Sequence, residues 1–271
     1  MPAAATPSVG SMTPRSAGRA GALTLLAVTM LTVAGCAGMG AKLTYTDTEK
    51  SPVNAIDIAG HSGDVIVTTA AVTATTITRT IRDSTDPQVS YRLDGTTLHL
   101  DTRCGSGCTV SYQIEAPAGV AVTGQLGSGD VQLTDVGSAD VAVTSGDILV
   151  RGATGAVKAR ATSGDITVTA GRHGATLEAT SGDVHAVDIT GGPVVARVGS
   201  GDVTVQLGQP ASVTAQAGSG DVQVTVPAGP YQLHTQKGSG DLNVAGITDS
   251  PTAVNVLNLK VGSGDVTLSA A

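Results

Sequence analysis

Val198-Gly-Ser-Gly-Asp-Val203 decides the fold of this chain, because its central Ser-Gly-Asp occurs nine times. From the second copy onward, successive aspartates are 17, 18, 18, 19, 19, 20 and 24 residues apart. A nearly constant period of this size is typical of an architecture in which each repeat adds one structural unit. The repeated aspartates are Asp64, Asp130, Asp147, Asp165, Asp183, Asp202, Asp221, Asp241 and Asp265.

The residues on both sides of this motif alternate as they would in two β-strands. Apolar residues stand one and three places after each aspartate, as Ile166 and Val168 do, and a polar residue separates them in seven of the last eight repeats. Small or apolar residues also stand six and four places before the next serine, as Ala175 and Leu177 do. Both flanks keep this register while the period grows. The pattern therefore predicts two-strand coils with one constant corner and one variable corner.

The predicted fold class is all-β, a parallel β-solenoid or β-helix of about seven to eight two-strand coils. The chain has no Phe, no Trp and four Tyr, so Val, Leu, Ile, Ala and Thr have to fill its core. Such small side chains suit narrow stacked sheets. An antiparallel β-sandwich is the competing fold, but it does not by itself require the same corner in every repeat.

The sequence of residues 43–126 predicts an antiparallel meander that includes the first coil and caps the N-terminal edge of the solenoid. Thr75–Arg82 is a β-branched run with period-two character, and Asp94-Gly95 is the turn signal of a hairpin. Residues 127–271 contain the remaining eight repeats. We expect residues 43–271 to form one continuous domain.

Residues 1–35 have the features of a lipoprotein signal peptide. Arg15 and Arg19 precede the mostly apolar run Ala22–Val33, which is too short to span a membrane securely. Val33-Ala-Gly-Cys36 then resembles the bacterial lipobox, in which small residues precede the cysteine that is lipidated. We expect Cys36 to carry the lipid, with residues 36–42 as a short tether to the outer face of the bacterial cell membrane. The alternative is a plain secretory signal with an incidental cysteine.

The remaining cysteines, Cys104 and Cys108, are separated only by Gly-Ser-Gly. They lie in the exported part of the chain, where disulfides persist, so we expect a disulfide that pins the tip of a local hairpin. A metal or redox pair is the rival interpretation. It is weakly supported, because two cysteines without a nearby histidine do not complete a zinc site.

The nine aspartates have a structural and a ligand-binding interpretation. Glycine permits the positive φ of a sharp corner, and Ser and Asp accept hydrogen bonds from turn N–H groups. We expect the aspartates to be structural corner residues, with no metal and no cofactor. The alternative is weak calcium binding along the row, because stacked carboxylates repel one another. No catalytic residues are predicted, since the five histidines are separated and follow no metal-ligand spacing.

Charge and composition limit the classes of partner. The formal net charge is −7, and the sequence contains no cluster of Lys and Arg interleaved with aromatic residues. These features argue against nucleic-acid binding. The expected partners are the membrane, through Cys36, and an envelope or extracellular polysaccharide or protein.

The chain resembles a bacterial family of putative adhesins of unknown function, domain of unknown function 4097, over roughly residues 43–271. The resemblance implies a β-solenoid and a surface location, and it brings no catalytic residues with it. It rests on His61-Ser-Gly-Asp-Val65, on Pro117-Ala-Gly-Val120, on Gly-Ser-Gly-Asp-Val at 127–131, 199–203, 218–222 and 262–266, and on the variant Gly238-Ser-Gly-Asp-Leu242.

Three functional hypotheses follow. The first is a lipid-anchored, non-catalytic surface protein with a binding, adhesin-like or scaffolding role, acting through outward rows of Thr, Gln, Asn and Ser. The second is a carbohydrate-active β-helix enzyme, because stacked aspartates could supply paired carboxylates. The third is an envelope protein that self-assembles through its C-terminal coil, whose last strand ends at Ala271 without an obvious charged guard.

Overall fold

The computed structural model describes residues 42–83, 90–104 and 107–271, and these residues form β-strands and the turns that connect them. Within these ranges no helix is long and apolar enough to cross a membrane. The predicted signal peptide, the lipid-attachment residue Cys36 and most of the tether lie outside the described residues. The all-β prediction is confirmed.

Within the described ranges, the chain forms 24 strands. The N-terminal third contains β1 Lys42–Glu49, β2 Ala55–Ser62, β3 Val65–Ala70, β4 Thr75–Arg82, β5 Tyr91–Asp94, β6 Thr97–Asp101, β7 Thr109–Pro117 and β8 Ala121–Ser128. The middle contains β9 Val131–Thr134, β10 Ser138–Ser145, β11 Ile148–Arg151, β12 Val157–Ser163, β13 Ile166–Thr169, β14 Ala175–Ser181, β15 Val184–Ile189 and β16 Val194–Ser200. The C-terminal part contains β17 Val203–Leu207, β18 Val213–Ser219, β19 Val222–Val226, β20 Pro230–Ser239, β21 Leu242–Ala245, β22 Thr248–Asp249, β23 Val256–Ser263 and β24 Val266–Ala270.

These strands form two twelve-stranded sheets. Sheet 1 has the order β1-β4-β7-β3-β9-β11-β13-β15-β17-β19-β24-β21, and sheet 2 has the order β22-β20-β23-β18-β16-β14-β12-β10-β8-β2-β6-β5. One strand of each sheet and the corner between them make a coil. Twenty strands pair in this way, while β1, β4, β5 and β22 do not, so the solenoid has ten coils. The eight coils of residues 121–270 agree with the predicted number, and β2–β3 and β6–β7 add two.

The N-terminal cap is confirmed, and it rests on a coil that the sequence did not reveal. β1 pairs antiparallel with β4, β4 pairs antiparallel with β7, and β5 pairs antiparallel with β6. However, β6 and β7 run parallel to β2 and β3, so they form the outermost coil rather than part of the meander. The first Ser-Gly-Asp coil, β2–β3, lies directly against β8–β9.

The inward rows predicted from the repeat form the core. The residues one and three places after each repeated aspartate are at most 1% exposed from Val131 to Val224 and again at Val266 and Leu268. The buried apolar residues make one contiguous core from Val53 to Leu268. Within sheet 2, the serines of neighbouring repeats pair with one another, for example Ser181 with Ser200, so the length changes do fall at the opposite corner.

The C-terminal end is arranged differently from the prediction. The last two strands, β23 and β24, lie between β18–β19 and β20–β21 instead of at the end of the stack. The N–H of Ala271 donates to the carbonyl oxygen of Val226 at 2.8 Å. The expectation that the C-terminal coil offers a free edge for self-association is therefore wrong, because the free edge belongs to β20–β21.

Candidate functional site

The Ser-Gly-Asp corner packs so closely that it accepts only glycine at its centre. Gly201 has a φ of 132°, and its N–H donates to the carbonyl oxygen of Ser219 at 2.9 Å. A Cβ atom at Gly201 would lie 2.2 Å from the carbonyl oxygen of Gly182 in the adjacent coil. Both the backbone angle and the lack of space exclude a side chain here. The corner is thus a structural device.

The nine aspartates line up along this corner. Oδ1 of each carboxylate except that of Asp241, which ends the row, accepts the backbone N–H of the aspartate in the next coil. The N–H of Asp130 lies 3.2 Å from Oδ1 of Asp64, and the distance is 2.8 Å in the later repeats. In the spatial order of the coils, the N–H of Asp265 then donates to Oδ1 of Asp221, and the N–H of Asp241 donates to Oδ1 of Asp265. Each hydrogen bond offsets part of the repulsion between neighbouring carboxylates.

The described residues contain no group of three or more His, Cys, Asp or Glu side chains placed to hold a metal ion. Calcium binding along the aspartate row stays a prediction. One oxygen of each carboxylate from Asp64 to Asp221, and of Asp265, already accepts a hydrogen bond from a backbone N–H.

A disulfide joins Cys104 and Cys108, whose Cα atoms lie 5.5 Å apart. The two cysteines connect β6 to β7, so the bridge lies at the corner of the outermost coil and not at a hairpin tip. Neighbouring side chains replace the missing repeat motif there. Oγ1 of Thr102 accepts the N–H of His61 at 2.9 Å, and Oγ of Ser111 accepts the N–H of Asp64 at 3.1 Å. The disulfide corner therefore continues the hydrogen-bonding of the solenoid.

Aromatic residues close the two ends of the solenoid. At the N-terminal end, Arg79 forms a buried ion pair with Asp47 at 3.3 Å, and its guanidinium lies 5.3 Å and 5.1 Å from the ring centroids of Tyr45 and Tyr91. Burial and, to a smaller extent, a hydrogen bond with Asp47 raise the pKa of Tyr91 well above its ordinary value. At the other end, the buried Tyr231 donates to the carbonyl oxygen of Pro227 at 2.9 Å. These tyrosines therefore have a structural role at the two ends.

A long concave surface lies on the outer face of sheet 2. It is a groove of about 710 Å³ that crosses seven adjacent strands, from β8 to β23. At the usual strand spacing this makes the groove about 30 Å long. Short residues precede each serine along it, and longer polar residues stand two positions earlier. These longer residues are Gln125, Arg160, Glu178, Arg197, Gln216 and Lys260.

Shared ion pairs connect the longer residues along the groove. Glu178 accepts Nε of Arg160 at 3.2 Å and one terminal nitrogen of Arg197 at 3.4 Å. Asp140 lies 3.5 Å from Arg160 and 3.7 Å from Lys158. All of these side chains are roughly half exposed, so the pairs add little to stability. Their effect is to fix the positions of the guanidinium groups of Arg160 and Arg197 along the groove.

A second hollow of about 490 Å³ extends the groove toward the N-terminal cap and shares Gln125 with it. His61 and Arg103 line this extension. Beside it, Nδ1 of His99 lies 2.9 Å from Oδ2 of Asp57. The groove therefore continues as a polar surface over most of sheet 2.

The binding surface predicted from the sequence and the groove lie on different sheets. The rows of Thr, Gln, Asn and Ser that follow the aspartates lie on the outer face of sheet 1, whereas the groove lies on sheet 2. A signal was present three places before the serine, where Arg160, Glu178 and Arg197 stand in successive repeats. Alternating charges at one register position indicate a shared ion-pair row.

Known proteins support the same fold. The chain matches the sequence model of the family Toastrack DUF4097 over residues 42–187 and 172–269. The crystal structure of a putative adhesin from Bacteroides fragilis is similar, with a TM-score of 0.51 and 16% identity over 86% of this chain and 99% of that one. A putative adhesin from Parabacteroides distasonis gives a TM-score of 0.47 and 13% identity over 86% and 98% of the two chains.

Among curated proteins, none matches this sequence significantly. The family match covers nearly all of the described residues and includes every Ser-Gly-Asp corner. The predicted resemblance is thereby confirmed, and this chain belongs to the Toastrack DUF4097 family.

Proposed function

We propose that this protein is a lipid-anchored binding module on the outer face of the cell membrane, with an adhesin-like and non-catalytic role. The observation that carries the proposal is the polar groove on the outer face of sheet 2. The names of the two similar structures, both putative adhesins, support a surface role.

The shape of the groove favours an extended ligand. It runs along the solenoid axis, across the strands, and presents a long polar side chain in six of its seven coils. A linear polymer can contact every coil in the same manner, whereas a compact small molecule would use a fraction of the length. We therefore propose a polysaccharide chain of the envelope or the extracellular matrix as the ligand class.

The chemistry of the groove favours hydrogen-bonding groups on that polymer. The groove lining contains three cations, Arg160, Arg197 and Lys260, and one anion, Glu178. Arginine presents several donors in a fixed plane, which suits hydroxyl and carboxylate groups of a sugar chain. The groove lining contains no aromatic residue, so recognition relies on hydrogen bonds rather than on ring stacking.

Binding to bacterial sacculi tests this function. Residues 42–271, which contain the whole described core, are mixed with purified sacculi that retain their attached polysaccharides, and bound protein is measured by co-sedimentation. We expect saturable binding that Arg197→Gln weakens about tenfold, because a hydrogen bond to a charged group is lost.

The matched control is Arg151→Gln, which removes an exposed arginine from the outer face of sheet 1. It should bind as the unchanged protein does. Absence of saturable binding to sacculi, or equal loss in both variants, would refute the groove as the binding site. Shortened polysaccharide in the supernatant would instead support the enzyme alternative.

The membrane anchor is tested separately. The sequence Val33-Ala-Gly-Cys36 supports lipidation of Cys36. We expect full-length protein in the membrane fraction of cells and expect Cys36→Ser to abolish metabolic labelling with a radioactive fatty acid. Unchanged labelling of that variant would show that Cys36 is not the lipid-attachment residue.

A further inference from the structure

The coil that ends the solenoid is not the last coil of the chain. β20–β21 lies at the end, and β23–β24 occupies the position between it and β18–β19. Consecutive elements are neighbours in most folds, so this departure from chain order requires a cause. The length of the repeat does not explain this departure. The step from Asp221 to Asp241 is 20 residues, close to the steps of 17 to 19 residues that connect adjacent coils.

The inward rows of the two coils differ in polarity. β23–β24 places Leu257, Leu259, Val261, Val266 and Leu268 inward, and each is at most 1% exposed. The register partners of Leu259 and Val261 on β20 are Thr235 and Lys237. The first repeat has Gly60 at the position of Lys237, and the others have Val, Ala or Leu there. These residues are Leu126, Val143, Ala161, Ala179, Val198 and Ala217.

Lys237 can be tolerated only where its ammonium group reaches solvent. It shares a face with the buried Val261, so its side chain leaves the strand on the core side. Because β20 is the outermost of the longer strands of sheet 2, Lys237 is exposed, and its Nζ donates to the carbonyl oxygen of Gly240. In a chain-order stack, Lys237 would instead lie between Ala217 and Val261. Burial of an unpaired ammonium group in that position is strongly unfavourable.

We infer that Lys237 sorts the coils: it assigns β20–β21 to the end of the solenoid and keeps that end from associating with another copy. The exposed edge retains apolar residues in sheet 1, where Leu242 and Val244 are 39% and 38% exposed. An inward-pointing charge on an edge strand opposes pairing with a further strand, because that pairing would bury the charge. Lys237 is therefore the charged residue that opposes pairing at the end of the solenoid, and the C-terminal strand has no such residue.

Engineered disulfides distinguish the two orders in the full chain. Gln216 and Lys260 are register partners in the observed order, and Gln216 would face Gln236 if the coils stacked in chain order. Neighbouring register partners have a separation that a disulfide can bridge. We expect the pair Gln216→Cys/Lys260→Cys to oxidise and the pair Gln216→Cys/Gln236→Cys to stay reduced.

Lys237→Val tests the role of the charge. In this background, oxidation of the pair Gln216→Cys/Gln236→Cys should rise roughly tenfold or more, or the protein without added cysteines should sediment as a dimer at concentrations where the unchanged protein is monomeric. Lys237→Arg keeps the charge and should behave as the unchanged protein does. If Lys237→Val changes neither cross-linking nor sedimentation, or if Lys237→Arg reproduces its effects, the inference is wrong.

Discussion

The backbone N–H of Asp202 donates a 2.8 Å hydrogen bond to Oδ1 of Asp183 in the preceding coil. The same bond connects each pair of neighbouring Ser-Gly-Asp corners, from Asp64 to Asp241. Carboxylates stacked at strand spacing repel by roughly 1 kcal/mol in water, and a hydrogen bond to a charged group contributes about as much or more. The row of aspartates therefore persists because each carboxylate completes the backbone hydrogen bonds of its neighbour.

Replacement of Asp183 separates the hydrogen bond from the charge. Asp183→Ala leaves the N–H of Asp202 without its acceptor and should lower the free energy of unfolding by about 1 kcal/mol. Asp183→Asn keeps an acceptor oxygen and removes the repulsion, so we expect a change within about 0.5 kcal/mol. Urea denaturation of the two variants measures the difference. Equal destabilisation by both would show that the charge itself is required.

Gly201→Ala should be among the most damaging single substitutions in the solenoid. Its Cβ atom would meet the carbonyl oxygen of Gly182 at 2.2 Å, at a φ of 132°. We expect a loss of about 3 kcal/mol or more in the free energy of unfolding. Gly95→Ala is the control, since Gly95 also has a positive φ but has no atom within 4 Å of an added Cβ. Its expected loss is about 1 kcal/mol.

The buried ion pair at the N-terminal cap makes Asp47 more important than an exposed aspartate. Asp47→Ala would leave the buried guanidinium of Arg79 without this carboxylate, and we expect a loss of about 3 kcal/mol. Asp94→Ala removes the partner of Arg92 in an ion pair whose side chains are mostly exposed, and its effect should be below about 1 kcal/mol. Thermal denaturation of both variants checks the comparison; similar melting temperatures would contradict it.

Because Tyr112 is buried, we expect the protein to lose stability in strong alkali. Burial raises its pKa from 10 to about 12 in the folded protein, although nearby polar groups oppose this shift. Below pH 10 the phenol is neutral in both states and its contribution is complete. Between pH 10 and 12 it ionises only in the unfolded chain, so the free energy of unfolding should fall as pH rises through that interval.

Absorbance titration of Tyr112→Phe against the unchanged protein measures this contribution. The variant should lack one phenolate that otherwise appears near pH 12. It should also lose the contacts of the hydroxyl group with the carbonyl oxygens of Ser90 and Asp101, which lie 2.6 Å and 3.0 Å away. Appearance of the missing phenolate near pH 10 in the unchanged protein would contradict the assignment.

Calcium should leave the solenoid unchanged. Oδ1 of each carboxylate from Asp64 to Asp221, and of Asp265, already accepts a backbone N–H, so a bound ion would compete with these bonds. We expect no calorimetric binding heat and no increase in melting temperature on addition of calcium chloride. Magnesium chloride at equal ionic strength serves as the control. A saturable heat specific to calcium would establish the row as a cation site.

Repetition explains why so much of the fold could be predicted. Ile166 and Val168 hold the same register as their counterparts in the neighbouring repeats, so a single alignment identifies the inward rows and the constant corner. The hairpin at Asp94-Gly95 was predictable because its turn chemistry is local. Local and repeated signals together determine the solenoid.

The remaining features depend on contacts between distant residues. The alignment includes Lys237, but its consequence becomes visible only when the spatial order of the coils is known. Likewise, β6 and β7 contain no Ser-Gly-Asp, and the disulfide between Cys104 and Cys108 stands where that motif would be. The groove on sheet 2 could not be predicted, because it forms only where side chains from seven strands stand side by side.

The internal position of β23–β24 also bears on synthesis and export. Once β8–β9 has joined β2–β3, a chain that emerges from its N-terminus can add one coil after another as far as β19, each beside the previous coil. The next coil, β20–β21, then has no adjacent place until the last sixteen residues, 256–271, have followed it. A chain that ended before β23 would lack β23–β24 and leave β20–β21 without its neighbour, a loss of two coils instead of one.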